Sequence, residues 1–278
     1  MKLGVSYNVF DGEELLGPSI RLIREQVDHI SVVYQVKSNY NNPCSDYLLD
    51  HLIQLKSIGL IDELLEYTPK IFSLEYMPKI FSRDSNNGSY NELEKRNIGL
   101  NLSRINGCSH HMSMDCDEFY VPEQFLYMKK VIIEHGCELG ICHYQNYYKD
   151  SIYLIKSPPN NFVPTIFKIL DNTEFLYRLK GFPVRVDPTR RTNNKNPIVF
   201  DQSEVQMHHM SLVRENLRTR FINSSYQKHG IKAIEKSICY YDCWEYPKPA
   251  MDVMGKTHSV IEVKRIFDRI LPLCKPER

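Results

Sequence analysis

Net charge is what this chain of 278 residues most plainly lacks: 35 basic side chains stand against 34 acidic ones, leaving +1. That balance excludes a broad electrostatic attraction to nucleic acid, which needs surplus Lys and Arg to displace counterions, so no nucleic-acid partner is expected. Long apolar runs are missing as well. None approaches the roughly 18 to 20 residues that cross a bilayer, and Met1-Lys2-Leu3 leads into a strand-like segment rather than a secretory leader. No transmembrane segment and a cytoplasmic setting are therefore expected. Cys-x-x-Cys pairs are absent too: the eight cysteines, from Cys44 to Cys274, are scattered, which fits neither a disulfide framework nor a zinc module. Neither repeats nor low-complexity tracts occur.

The remaining composition, 42% hydrophobic and 25% charged, is that of an ordinary globular chain with one main core and an appendage. Residues 3–9 and 29–35 read as strands, the second a β-branched run of the kind buried in a parallel sheet. Residues 13–24 and 45–58 carry helical spacing, and 61–67 begins the next strand or turn. Residues 69–91 read as a solvated loop and 91–105 as a helix. Strand 108–114, helix 123–134 and strand 139–148 follow. The stretch 158–197 is irregular and rich in Pro and Asn, as binding loops often are. From 213 to about 241 the chain looks helical, and 259–270 reads as a last helix. The alternation predicts an α/β class with a mainly parallel central sheet flanked by helices. The expected division is a domain over 1–214 and a C-terminal helical extension over 215–278 packed on it.

The chemistry concentrates between residues 95 and 119. A helix opening on Lys95-Arg96-Asn97 precedes a buried strand that ends in Asp115-Cys116-Asp117, two carboxylates at a strand's carboxyl end, where ligands of open α/β sheets collect. Two carboxylates so placed repel one another, and a hard divalent cation bridging a diphosphate relieves that repulsion. His110-His111, on the buried strand, reads as packing.

Arg96-Asn97-Ile98-Gly99, Gly107 and Met114-Asp115-Cys116-Asp117-Glu118-Phe119 together resemble the Arg-Asn-x-Gly helix and DxD segment of GT-A glycosyltransferases, particularly family-2-like ones. Leu3-Gly4-Val5-Ser6-Tyr7-Asn8 is similar to their opening strand. The resemblance implies a GT-A fold and transfer of a sugar from a nucleotide diphosphate donor, UDP-sugar foremost, to a carbohydrate or glycoconjugate acceptor. It also implies Mn²⁺ or Mg²⁺ as cofactor. Carried over by position, Asp117 is the main metal ligand, Asp115 faces ribose and metal, and Ser6, Asn8, Arg96 and Asn97 contact the donor. His209 or His208, some 90 residues beyond the DxD segment, matches a further metal ligand, and Arg214 would neutralise the diphosphate. The acidic residue that many family-2 enzymes carry after the second strand is replaced by Tyr34-Gln35-Val36-Lys37. A catalytic base must reach the acceptor hydroxyl, and by chain order Asp150 and Asp187 are the candidates. A sugar-nucleotide nucleotidyltransferase, or a domain that only binds glycan or a partner, are the alternatives.

Overall fold

The computed structural model describes residues 1–71, 87–156 and 160–267. Strands β1 (Leu3–Val9), β2 (His29–Tyr34), β3 (Glu63–Glu66) and β4 (His110–Asp115) form a parallel set in the order β3-β2-β1-β4. Helices α1 (Glu13–Ile23), α2 (Leu48–Ser57) and α3 (Asn87–Ile105) connect them. This is the Rossmann-like order, and it places a topological switch point between β1 and β4. The sheet then turns antiparallel through β8 (Phe162–Lys168), β6 (Leu139–Tyr148), β7 (Asp150–Ile155) and β11 (Val260–Glu262). β6 is the junction: its first half pairs with β8 and with β9 (Pro197–Val199), its second half with β10 (Gln206–Leu212). β10 pairs on its other side with β5 (Glu118–Tyr120), which leads into α4 (Pro122–Glu134). The expected α/β class, a mixed central sheet flanked by helices, is what the chain adopts.

The alternation within β1 explains how its two faces are covered. Leu3, Val5, Tyr7 and Val9 enter the main core with Leu16, Ile20 and Ile23 of α1, and the Tyr7 hydroxyl lies 3.1 Å from Ser19 Oγ. Gly4 and Ser6 face α3, where a Cβ on Gly4 would meet Ser103 Oγ at 2.2 Å. Small residues on this face let the helix lie close enough to the sheet to bury Arg96, which stands at the middle of α3 and not at the helix start that the sequence suggests.

Several expectations fail. Residues 158–197 are not merely a loop: β8 within them is a buried central strand between β4 and β6. Pro164 hid it, because proline is expected at edges and irregularities; it sits where the β6–β8 register shifts. Residues 259–270 do not begin a helix. The β-branched Val260 and Ile261 pair with β7 instead, and 268–270 lie outside the described residues. The helical reading of 213–241 breaks into α5 (Leu217–Ile222), a 3₁₀ turn (Ser225–His229) and α6 (Ile231–Asp242), with Gly230 at φ 82° between the last two. α3 begins four residues before the expected position 91, and most of the loop assigned to 69–91 lies outside the described residues.

Two predictions follow from this packing. Gly99→Ala should stabilise α3 by up to about 1 kcal/mol on propensity. Its Cβ would, however, meet Ser6 Oγ at 2.1 Å and Ser6 Cβ at 2.4 Å, so the variant is expected to lose about 1–3 kcal/mol in urea unfolding. Adding Ser6→Gly should return most of it. Second, burial lowers the His111 imidazole to about 3, with Arg104 and Arg96 adding to the effect, and lowers His208 to about 4. Between those values and about 6.5 the unfolded chain binds more protons, so stability rises with pH across the window and is lost on acidification. Each histidine should contribute a slope of about 1 kcal/mol per pH unit, and His111→Gln should flatten the profile measured between about pH 7 and pH 4.

Candidate functional site

At the switch point a cavity of about 810 Å³ opens over the carboxyl ends of β1 and β4. Asn8 and Asp115 are register partners there, so the two strand ends deliver an amide and a carboxylate side by side. The Asn8 side chain is buried, and neither its oxygen nor its nitrogen has a hydrogen-bond partner in the protein. Gln35, Ser38 and Asn39, from the segment after β2, line the same end.

Asp115 keeps 36% of its side chain exposed and faces two guanidiniums. Arg190 Nη2 donates to Oδ2 at 2.6 Å, and Arg96 Nη2 donates to Oδ1 at 3.3 Å. Burial pushes this carboxyl up, but Arg190 first and Arg96 second pull it further down, to about 2. Arg96 also donates to Ser113 Oγ at 2.7 Å. Arg190 reaches past Asp115 to pair with the buried Glu118, whose carboxyl burial pushes up despite that partner.

Asp117 lies in the turn between β4 and β5. Arg214 Nη2 donates to its Oδ2 at 2.6 Å, and Arg214 Nη1 stands 3.4 Å from Asp11 Oδ1. Gly12 makes this possible: at φ 76°, a Cβ there would strike Arg214 Nη1 at 2.1 Å. The other oxygen, Oδ1, is buried with no hydrogen bond, and His209 Nε2 stands 3.5 Å away. Burial raises the Asp117 carboxyl, but His209 and then Arg214 hold it well below its usual range, so it stays ionised. His209 Nδ1 lies 2.8 Å from Asn146 Oδ1, which leaves the proton on Nδ1 and a bare lone pair on Nε2 in the neutral ring.

Asp187 also lines the cavity, and its Oδ1 accepts from Thr189 N at 2.7 Å and from Thr189 Oγ1 at 2.6 Å. Thr189 Oγ1 in turn accepts from Arg96 Nε at 3.4 Å. The structure thus gathers Asn8, Arg96, Asp115, Asp117, Asp187 and Arg214 around one space, with His209 against Asp117.

Other candidates stand elsewhere. Asp150 forms a two-point pair with Arg265, at 2.9 and 3.0 Å, and does not line the cavity. His208 points to the opposite face of β10 from His209, as strand neighbours must, and its Nδ1 meets the Tyr147 hydroxyl at 2.8 Å. The Asn97 amide exchanges two hydrogen bonds with the Phe175 backbone and so pins that loop to α3. Ser6 is covered by Gly99. Sequence reasoning overlooked Asp11, Asn146 and the cavity wall from Arg220 to Lys228, and it did not name Arg190 among the site residues. The adjacent Arg190-Arg191 pair was the available signal, but nothing local shows which arginine turns inward.

The sequence matches no protein-family model and no curated protein. Among solved structures the chain is similar to TarS of S. aureus. The crystal structure of its residues 1–349 is 12% identical, with a TM-score of 0.44 over 86% of this chain and 72% of that one. The complex with UDP gives 10% and 0.40, over 86% and 69%, and the complex with UDP-GlcNAc gives 10% and 0.37, over 86% and 70%.

Arg190 is the group on which this geometry depends most. Arg190→Leu leaves Glu118 buried without its partner and should cost about 3–5 kcal/mol in denaturant unfolding. The double variant Arg190→Leu/Glu118→Leu should recover much of that loss, because no buried charge then remains unpaired at Glu118.

Proposed function

We propose that this chain is a GT-A-type glycosyltransferase that moves a sugar from a nucleotide diphosphate donor, a UDP-sugar foremost, to a hydroxyl of a glycan, lipid-linked or protein acceptor. The observation that carries this reading is the cavity at the β1/β4 switch point, with the unpaired Asn8 amide beside the Asp115-Cys116-Asp117 turn. The Asn8 amide offers one donor and one acceptor to a base or ribose, and Arg96 and Arg190 fix Asp115 as an ionised acceptor for hydroxyls of the donor.

The residues present fit a divalent cation. Asp117 Oδ1 is an orphaned buried oxygen, His209 Nε2 stands 3.5 Å from it, and Asn146 orients the ring from behind as the outer partner of a metal-bound histidine does. Among the described residues, no group of three or more His, Cys, Asp or Glu side chains is placed to hold a metal ion. Mn²⁺ or Mg²⁺ held by Asp117 and His209 would complete its shell with phosphate oxygens and water. Asp115 is committed to its guanidiniums. When bound, the cation supplies Lewis-acid stabilisation of the departing diphosphate.

Asp187 is the base in this reading. The acceptor oxygen bonds to the sugar C1 as the C1–O bond to the diphosphate breaks; the hydroxyl proton passes to the Asp187 carboxylate, and the electron pair leaves with the diphosphate. Thr189 holds Asp187 Oδ1 by two hydrogen bonds, which leaves Oδ2 to take the proton. In chain terms, residues 1–214 are the catalytic domain in this reading, and the described residues of 215–278 supply packing and one cavity wall.

Thermal unfolding with UDP, GDP, CMP and dTDP species, with and without Mn²⁺, tests the donor reading. One nucleotide should raise the midpoint in a metal-dependent way by mass action, and Asp117→Ala should abolish the shift. If no nucleotide moves the wild type, a binding-only domain becomes the better account. With the donor identified, Asp187→Asn should lower kcat about 10²–10⁴-fold while leaving nucleotide binding near wild type.

A further inference from the structure

Cysteine is among the most frequently buried residue types, and thiols left in solvent are the ones open to reaction and metal binding. Most of the described cysteines follow that habit: Cys108, Cys116, Cys137 and Cys142 are buried, and Cys44 is half-buried. Cys239 and Cys243 are the two described cysteines that are exposed, and neither is in a disulfide. They also stand together, one turn apart at the end of α6, where Cys243 N donates to Cys239 O at 3.2 Å.

The packing of α6 explains why both thiols face outward. Ile234, Ser237 and Tyr241 are its buried residues, and Ile234 and Tyr241 pack in one cluster with Leu217, Phe221 and Trp244. At about 3.6 residues per turn, positions 239 and 243 fall on the opposite side of the helix from these. The chain on either side of Cys243 is fixed: the Tyr241 hydroxyl donates to Leu212 O at 3.0 Å, and Trp244 Nε1 donates to Lys248 O at 3.0 Å. The pair is remote from the candidate site, since neither cysteine lines the cavity.

Side chains one helical turn apart have Cβ atoms about 5–6 Å apart, whereas a disulfide needs about 3.5–4.5 Å. A direct sulfur–sulfur bond would therefore require the last turn of α6 to open. A metal ion requires no such opening, because metal–sulfur bonds of about 2.3 Å bridge sulfurs up to about 4.6 Å apart. Among the described residues no third His, Cys, Asp or Glu side chain joins the two to hold an ion.

We propose that Cys239 and Cys243 form a two-sulfur site for a soft, thiophilic metal ion on the outer face of α6. Each thiol gives its proton to solvent as its sulfur bonds to the ion, so two protons leave for each ion bound. Thiolate sulfur selects soft ions, whereas carboxylate and phosphate oxygens suit Mg²⁺ and Mn²⁺, which separates this site chemically from the cavity. A bound ion ties together the turn of α6 that carries Tyr241, whose hydroxyl also stands 3.3 Å from Arg214 O.

Titration of the full chain with Cd²⁺, read by the ultraviolet charge-transfer absorbance of the cadmium–thiolate bond, tests this. An ion held by Asp117 and His209 gives no such band, so the readout belongs to sulfur alone. The wild type should take up one sulfur-bound ion. Cys239→Ser and Cys243→Ser should each weaken that binding about 10²–10⁴-fold, because the second sulfur no longer acts as an intramolecular partner. Cys44→Ser and Cys274→Ser should change nothing. Without metal, the Cys239 and Cys243 variants should unfold at the wild-type temperature, and Cd²⁺ should raise the midpoint of the wild type more than that of either. If either variant keeps wild-type affinity, the ion does not bridge the pair and the proposal is wrong. Absence of the thiolate band in the wild type, or its loss in Cys44→Ser or Cys274→Ser, overturns it equally.

Discussion

The structure depends on neutralising a knot of carboxylates at the end of β4. Asp115, Asp117 and Glu118 fall within four consecutive residues, with Asp11 close by, and burying like charges together is strongly unfavourable unless each finds a partner. The partners come from three remote places: Arg96 on α3, Arg190 in the long connection after β8, and Arg214 just past β10. The strand end can be buried only when those segments are docked. Assembly of the site and completion of the fold are therefore one event.

That coupling shapes what the cavity offers. Guanidinium forks hold Asp115 and Asp117 in fixed orientations, so the carboxylates meet a ligand without first losing side-chain freedom. Several polar atoms of the site are buried without a hydrogen bond, among them the Asn8 amide, Asp117 Oδ1 and Asp11 Oδ2. Unpaired buried polar groups are costly, so a ligand or cation that pairs them gains that free energy on binding. Gly12 plays a quiet part, since only a residue without a Cβ, in the left-handed region, leaves room for Arg214 to bridge Asp11 and Asp117.

Much of the parallel half was legible in the chain because its signals are local. The alternation in β1, the β-branched run of β2 and the helical spacing of α1 and α2 each lie within a dozen residues. Asp115, Asp117 and Arg96 were legible as well, the carboxylates from their placement at a strand end and Arg96 from its residue type, although the helix that carries it opens at Asn87 and not beside it. The antiparallel half was not. β8 contains a proline that argues against a central strand, and β11 is three residues whose identity as strand depends on β7 lying beside it. His208 and His209 show the limit most clearly: chain distance singles out the pair, but only the facing of β10 decides that His209 meets Asp117 and His208 meets Tyr147.

By itself the sequence determined the α/β class, the strand that ends in two carboxylates, and the kinds of side chain available to balance them, because propensity, periodicity and residue chemistry act over short spans. Tertiary structure alone decided which cation meets which carboxylate. It paired Asp150 with Arg265 outside the cavity, brought Asp187 into it and left Arg220 facing it. The reason is range: charge pairing and strand registry join residues scores of positions apart, and no local pattern encodes which of several arginines will arrive.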